Sequence, residues 1–214
     1  MSQIPCIRGL YAITPDYADT ADLLHRARLV LAGGACVLQY RNKSATAELR
    51  LKQATALREL TCEFAVPLIV NDDVHLAAQV GADGVHLGTM DGSLNAARDV
   101  LGKHKIIGIS CYNQLFLARN AVDAGADYVA FGAFFPSTIK PDAVAADVEL
   151  LHWARAELDV PLVAIGGITA HNGVALLAAG ANALAVISAV FDAADIQIAA
   201  QDFSSLFTHK NLAQ

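Results

Sequence analysis

The stretch LLAAGANALAVIS (176–188) runs from a helical segment, through a small-residue turn around Gly180, into an apolar strand. The same order of helix, AGA or AGG, then strand recurs at Ala32–Ala35, Gly81–Gly84 and Ala124–Asp127. A strand that always follows a helix calls for parallel strands joined by right-handed crossovers. Working outward, runs rich in Val, Ile, Leu and aromatics and bounded by Gly, Pro, Asp or Asn mark strands at Gly9–Thr14, Cys36–Arg41, Pro67–Asp72, Gly84–Gly88, Lys105–Cys111, Tyr128–Phe134, Pro161–Gly167 and Ala183–Val190. Eight units in 214 residues leave about 27 residues each, so loops should be short. The expected fold is α/β: a (β/α)8 TIM barrel of eight parallel strands, in a single domain over 1–214. A doubly wound open sheet is the alternative, since alternation alone does not prove closure.

Between the strands lie helical patterns. In Thr20–Ala32, Leu23, Leu24, Ala27, Val30 and Leu31 line one face. The others are Ala47–Cys62, Val74–Val80, Ser93–Leu101, Gln114–Ala124, Asp147–Leu158, Ala170–Ala179 and Ile196–Phe207. Gly33, Gly81, Gly102, Gly125 and Gly180 stand where left-handed C-terminal caps belong.

A chain that is 55% hydrophobic can bury a sizeable core. Fifteen basic and 21 acidic residues, a net charge of −6, without a Lys/Arg run, leave no footprint for nucleic acid, and a small-molecule partner is expected. The start MSQIPCIRGLYAITP has no charged segment followed by a long apolar one, and no apolar run reaches membrane-spanning length. We therefore expect a cytoplasmic protein with no membrane partner. Cys6, Cys36, Cys62 and Cys111 are scattered without a CxxC pair and read as reduced packing thiols, with a nucleophilic role for Cys111 as the lesser reading.

In a closed barrel the chemistry gathers at the carboxyl ends of strands. Those ends carry Gln39-Tyr40-Arg41-Asn42-Lys43, Asn71-Asp72-Asp73, Asp91 after the fourth strand, Ser110, and Ser137-Thr138-Ile139-Lys140 after the sixth. Asp72 and Asp91 follow adjacent strands and suit a hard cation shared with substrate phosphates, the usual way Mg²⁺ is held. Each alone reads more readily as a helix cap: Asp72 or Asp73 before Val74, Asp91 for the helix after Gly92. With Arg41, Lys43 and Lys140 they form a site of mixed sign, and a diphosphate bridged by Mg²⁺ needs both signs. Gly166-Gly167 before a helix offers backbone N–H groups to an anion or is simply a tight turn. Ser188 is a phosphate contact or a small packing residue. His86 reads first as a hydrogen-bonded core residue and second as an acid or base, while Tyr40 and Phe134 either stack on an aromatic ligand or fill the core.

Taken in order, QYRNK (39–43), VNDD (70–73), GVHLG (84–88) followed by Asp91, IIGIS (106–110), FGAFFPSTIK (131–140), AIGGI (164–168) and VIS (186–188) resemble the thiamine-phosphate synthase family over all eight strands. The resemblance implies a Mg²⁺-dependent transferase that couples the diphosphate of a hydroxymethylpyrimidine to a thiazole phosphate, giving thiamine monophosphate and diphosphate. It implies that Gln39, Arg41, Lys43, Asn71, Ser110 and Lys140 hold the pyrimidine diphosphate, with Lys140, Arg41 and Ser110 acting in catalysis and Tyr40 and Asn42 beside them. Asp72 and Asp91 would bind Mg²⁺. Gly167, Ile187 and Ser188, with the loop residues Ser137, Thr138 and Ile139, would meet the thiazole phosphate. Two departures stand out: the family pattern Thr-x-Thr-Lys reads Ser137-Thr138-Ile139-Lys140 here, and the Gln that commonly follows HLG is Thr89. Alternative functions are a thiazole tautomerase-like isomerase and a non-catalytic barrel that binds a phosphate ligand.

Overall fold

The computed structural model describes residues 7–88, 92–136 and 144–208. Strands β1 (Gly9–Ile13), β2 (Val37–Tyr40), β3 (Leu68–Asn71), β4 (Gly84–Leu87), β5 (Ile106–Tyr112), β6 (Tyr128–Phe131), β7 (Leu162–Ile165) and β8 (Ala183–Val186) pair in parallel, each with its sequence neighbour. Pairing of β1 with β8, from Gly9↔Ala183 to Ala12↔Val186, closes the barrel and removes the open-sheet alternative.

Eight helices follow the strands: α1 (Thr20–Ala32), α2 (Ala47–Glu63), α3 (Val74–Gln79), α4 (Leu94–Leu101), α5 (Leu115–Asp123), α6 (Glu149–Glu157), α7 (Ala170–Ala178) and α9 (Ile196–Thr208), the last preceded by a single turn, α8 (Ser188–Phe191). Capping explains most starts. Asp19, Thr46, Asp73, Ser93 and Thr169 each accept a backbone N–H of the first turn. After α1 the expected glycine cap moves by one residue: Gly33 keeps right-handed backbone (φ −78°), and Gly34 turns left-handed at φ 96°.

Period-two alternation sorts the strand residues into two cores. Leu38, Tyr40, Leu68, Val70, Val85, Ile107, Val129, Phe131 and Leu184 face the helices, where Leu23, Ala27, Val30 and Leu31 of α1 meet them. Tyr11, Ile13, Val37, Ile69, Ile106, Tyr128, Val163 and Ala185 fill the barrel itself. Gly108 has to be glycine for this packing, because a Cβ there would lie 1.9 Å from the Tyr128 ring.

Every strand but β5 ends before the expected residue, and three of them end two or more residues early. β8 stops at Val186, and Ser188–Val190 lie in α8, with Val190 and Phe191 donating their N–H groups to the Ile187 carbonyl. The helical turn carries Val190 and Phe191 into the outer core, a burial that apolar periodicity cannot separate from a longer strand. β6 stops at Phe131, beyond which Phe134 packs on the outer core. β7 stops at Ile165 because Gly166 (φ 104°) and Gly167 (φ 60°) leave extended backbone.

The amino-terminal rim is held by a unit that repeats three times. Asp83, just before β4, donates its N–H to the Leu68 carbonyl and accepts the Leu68 N–H on its carboxylate. Asp127 makes the same clasp with Ile107, and Asn182 with Leu162. An arginine of an even-numbered helix completes each one: Arg58 on Asp83 at 2.5 Å, Arg98 on Asp127 at 2.8 Å and Arg155 on Asn182 at 3.2 Å. Each stands in a repeated small-residue turn immediately before its strand, so the punctuation in the sequence is also the latch of the barrel floor.

Candidate active site

A cavity of about 740 Å³ opens at the carboxyl end of the barrel, within the ordinary range for small-molecule sites. Gln39, Arg41, Asn71 and Ser110 line one side of it, and Gly166, Gly167, Ile187 and Ser188 line another. These residues come from β2, β3 and β5 and from the ends of β7 and β8, so barrel closure brings together positions up to 149 residues apart in sequence.

The charged side is braced by neighbours. Arg41 donates through Nη1 to Asp16 Oδ1 at 2.8 Å, and Asp16 Oδ2 accepts the Ser44 N–H at 3.1 Å, tying the guanidinium to the loop that follows β2. Thr14 Oγ1 accepts the Arg41 N–H and donates to the Arg41 carbonyl, both at 2.9 Å. Lys43 and Asp72 face each other at 3.3 Å in a crevice that Asn71 shares with the main cavity. Asp72 sits in left-handed backbone (φ 64°), with its N–H on the His86 carbonyl at 2.8 Å. That conformation is uncommon for a residue with a Cβ, and such strain clusters at functional positions. Helix capping goes instead to Asp73, which accepts the Leu76 N–H, and α4 is capped by Ser93.

Two expected contact residues, Tyr40 and Asn42, line the crevice of Lys43 and Asp72 and not the main cavity. Tyr40 alternates outward, and its hydroxyl donates to Gln53 Oε1 of α2 at 2.9 Å. Asn42 donates to the Tyr17 carbonyl at 2.7 Å and to Gln53 Oε1 at 3.0 Å. Both tie the segment at the end of β2 to α2, at the wall of the crevice beside the main cavity. Ser188 lines it as the first residue of α8 and not from a strand. Asp91, Ser137, Thr138, Ile139 and Lys140, together with Thr89 and Cys6, lie outside the described residues.

The cavity floor holds residues that the sequence reading passed over. Gln39 Nε2 donates to the Tyr11 hydroxyl (2.9 Å), Tyr11 and Tyr128 share a hydroxyl–hydroxyl bond (2.7 Å), Tyr128 meets His86 Nδ1 (2.9 Å), and His86 Nε2 meets Ser110 Oγ (2.9 Å). Burial raises the ionisation of both tyrosines well above the ordinary phenol range, so both stay protonated. His86 is thus a hydrogen-bonded interior residue, and it also lines the cavity. The signal for Tyr128 was Gly108, an inward position with no side chain on the neighbouring strand. Burial pushes the Cys111 thiol up to about 12, which removes it as a nucleophile at neutral pH.

The bracing and lining define a class: a closed (β/α)8 barrel whose carboxyl-end cavity presents Arg41 and a glycine turn, with Lys43 and Asp72 in the crevice beside it. A family model described as thiamine monophosphate synthase matches residues 10–190. The chain is 57% identical over 204 residues to a thiamine-phosphate synthase of Methylobacillus flagellatus, covering 95% of this chain and 97% of that one. It is 56% identical over 201 residues to one of Azoarcus sp., covering 94% and 98%. The solved thiamine phosphate pyrophosphorylase of Pyrococcus furiosus superposes with a TM-score of 0.86 at 33% identity over 97% of this chain and 98% of that one. The chain belongs to the thiamine monophosphate synthase family. Among the described residues no helix is long and apolar enough to cross a membrane.

Proposed function

We propose that this protein is a thiamine-phosphate synthase, a transferase that joins a hydroxymethylpyrimidine diphosphate to a thiazole phosphate and releases diphosphate. One observation carries the reading: Gln39, Arg41, Asn71 and Ser110 and, apart from them, Gly167, Ile187 and Ser188 line a single cavity, as two substrates that meet in one site require.

In the reaction the C–O bond between the pyrimidine methylene and the diphosphate breaks, and a C–N bond forms from the thiazole nitrogen lone pair. The electron-rich aminopyrimidine stabilises the positive methylene, and Arg41 faces the charge that grows on the leaving group. No proton has to leave the nucleophilic nitrogen. That agrees with a site in which both ring nitrogens of His86 are engaged and Tyr11 and Tyr128 stay neutral. The chain's work is positioning, with Gln39 and Asn71 set to orient the pyrimidine diphosphate and the Gly166–Gly167 turn to hold the thiazole phosphate.

The donor chemistry fits Mg²⁺. Asp72 presents a hard carboxylate that does not serve as a helix cap, beside a cavity suited to a diphosphate, and Mg²⁺ needs only one or two carboxylates besides phosphate and water. Asp72, with Asp91 from the family pattern, would hold it, and the ion would neutralise diphosphate charge. Purified protein given both substrates and Mg²⁺ should form thiamine monophosphate and diphosphate in equal amounts, read by mass spectrometry, and chelation should stop both. Diphosphate release without thiamine monophosphate would refute the transferase reading, and turnover that survives chelation would refute the metal.

A further inference from the structure

We propose that Tyr11, Tyr128 and His86 form a positioning relay that fixes Gln39 as a hydrogen-bond acceptor and Ser110 as a donor toward the substrate, and so selects an amino-substituted pyrimidine over an oxo-substituted one. The proposal rests on the synthase reading for its substrate and on the hydrogen-bond chain for its direction.

The direction follows from counting protons. Gln39 turns its amide nitrogen to the Tyr11 oxygen, which leaves its amide oxygen for the cavity it lines. Tyr11, buried at 1% exposure, has Tyr128 as the partner for its own O–H. Tyr128, fully buried, then gives its O–H to His86 Nδ1. A neutral imidazole that accepts at Nδ1 carries its proton on Nε2 and donates to Ser110 Oγ. Ser110, which lines the cavity, therefore has its own O–H to give to a ligand. The chain spans β2, β1, β6, β4 and β5, so groups that touch different parts of the substrate share one polarity. Gly108 lets the Tyr128 ring cross the barrel to complete it.

An oxo group in place of the ring amine would ask Gln39 to present its NH₂. The amide would then turn its oxygen to Tyr11, Tyr11 would donate to it, Tyr128 would donate to Tyr11, and His86 would carry its proton on Nδ1. Ser110 would then donate to His86 and lose its hydrogen bond to the ligand. A change at one ring substituent is thereby felt at the far end of the site, where a missing polar partner discriminates strongly.

Two measurements test this. In full-length protein labelled with ¹⁵N-histidine, with His86 assigned by its loss in His86→Gln, the ring should be neutral with its proton on Nε2, without any substrate present. A proton on Nδ1 overturns the relay. In competition between amino- and oxo-pyrimidine diphosphates, Tyr128→Phe and Tyr11→Phe keep the ring packing and should each lower the kcat/KM preference for the amine by about tenfold. A merely structural role would slow both substrates alike, and an unchanged preference in both variants overturns the proposal. If the unaltered protein turns over neither pyrimidine, the synthase reading fails, while the histidine spectrum still decides the relay.

Discussion

The two rims of the barrel use the same residue types for opposite ends. On the amino-terminal rim, Asp83 and Asp127 each hold a strand N–H and an arginine, and their carboxylates are committed to the fold. On the carboxyl-terminal rim, Asp72 stands in left-handed backbone with a lysine opposite, beside a cavity and without a helix to cap. Charge and residue type do not separate the two sets. What separates them is what the carboxylate meets: a strand N–H and an arginine on the amino rim, and a lysine beside the cavity at Asp72. Asp16 shows the intermediate case, a carboxyl-rim carboxylate committed to Arg41 and Ser44, which makes it a positioning residue.

The comparison breaks most readily at Asp72. Asp72→Ala should lower kcat/KM by about 100- to 1000-fold at saturating Mg²⁺, as expected when stabilisation of a leaving-group charge is lost, with a melting temperature near that of the unaltered protein. Steady-state kinetics with calorimetry would check it, and a large drop in melting temperature would move Asp72 to the structural side. Next in size is Gly167→Ala. Its Cβ would lie 2.3 Å from the Pro136 carbonyl oxygen in backbone that favours glycine, so the turn must shift. The KM for the thiazole phosphate should rise about 10- to 100-fold and that for the pyrimidine diphosphate much less. Equal increases would detach this turn from the thiazole side.

A smaller effect is expected on the amino rim. Arg98→Met removes the donor to Asp127 and to the Gly125 carbonyl. It should cost about 1.5–3 kcal/mol of stability, judged by urea unfolding, and leave kcat/KM unchanged. Lost turnover in a folded variant would contradict the division between the rims. The smallest effect concerns the cysteines. At pH 8 iodoacetamide should label exposed Cys62 and spare Cys111, whose thiol is held up to about 12 by burial. Because the folded value lies above the ordinary 9.0, Cys111 contributes stability below pH 9 that is lost as pH rises toward 12. Early labelling of Cys111 by peptide mapping would contradict its burial.

The legibility of these features in the sequence follows physical lines. Helices were readable because a 3.6-residue apolar period and a polar cap are local signals, as in Thr20–Ala32 after Asp19. Strand order was readable because small-residue turns recur between helix and strand. Strand ends were not. Nothing in AVISAVF (185–191) says that the chain leaves the sheet at Ile187, since Val190 and Phe191 are buried equally well by a turn of helix. At the site, charged side chains at strand ends announced themselves, whereas Tyr11 and Tyr128 looked like core. Their role depends on which face of the strand they take and on a glycine opposite, a relation between strands and not within one. The alternation that hid them also explains Tyr40, which sits next to inward Gln39 and so must point away from the cavity.

The central claim, that the carboxyl rim carries the chemistry and the amino rim the fold, is tested most directly by one chemical change made at both ends. Asp72→Asn and Asp127→Asn each remove a charge without changing side-chain size. With melting temperature and kcat/KM measured on both, the account predicts that Asp72→Asn keeps its melting temperature and loses at least about 100-fold in turnover. Asp127→Asn can keep the clasp that Asn182 makes but loses the charge facing Arg98, so it should lose a few degrees and keep its turnover. If the two variants lose stability and turnover in the same proportion, or exchange their effects, the division is contradicted.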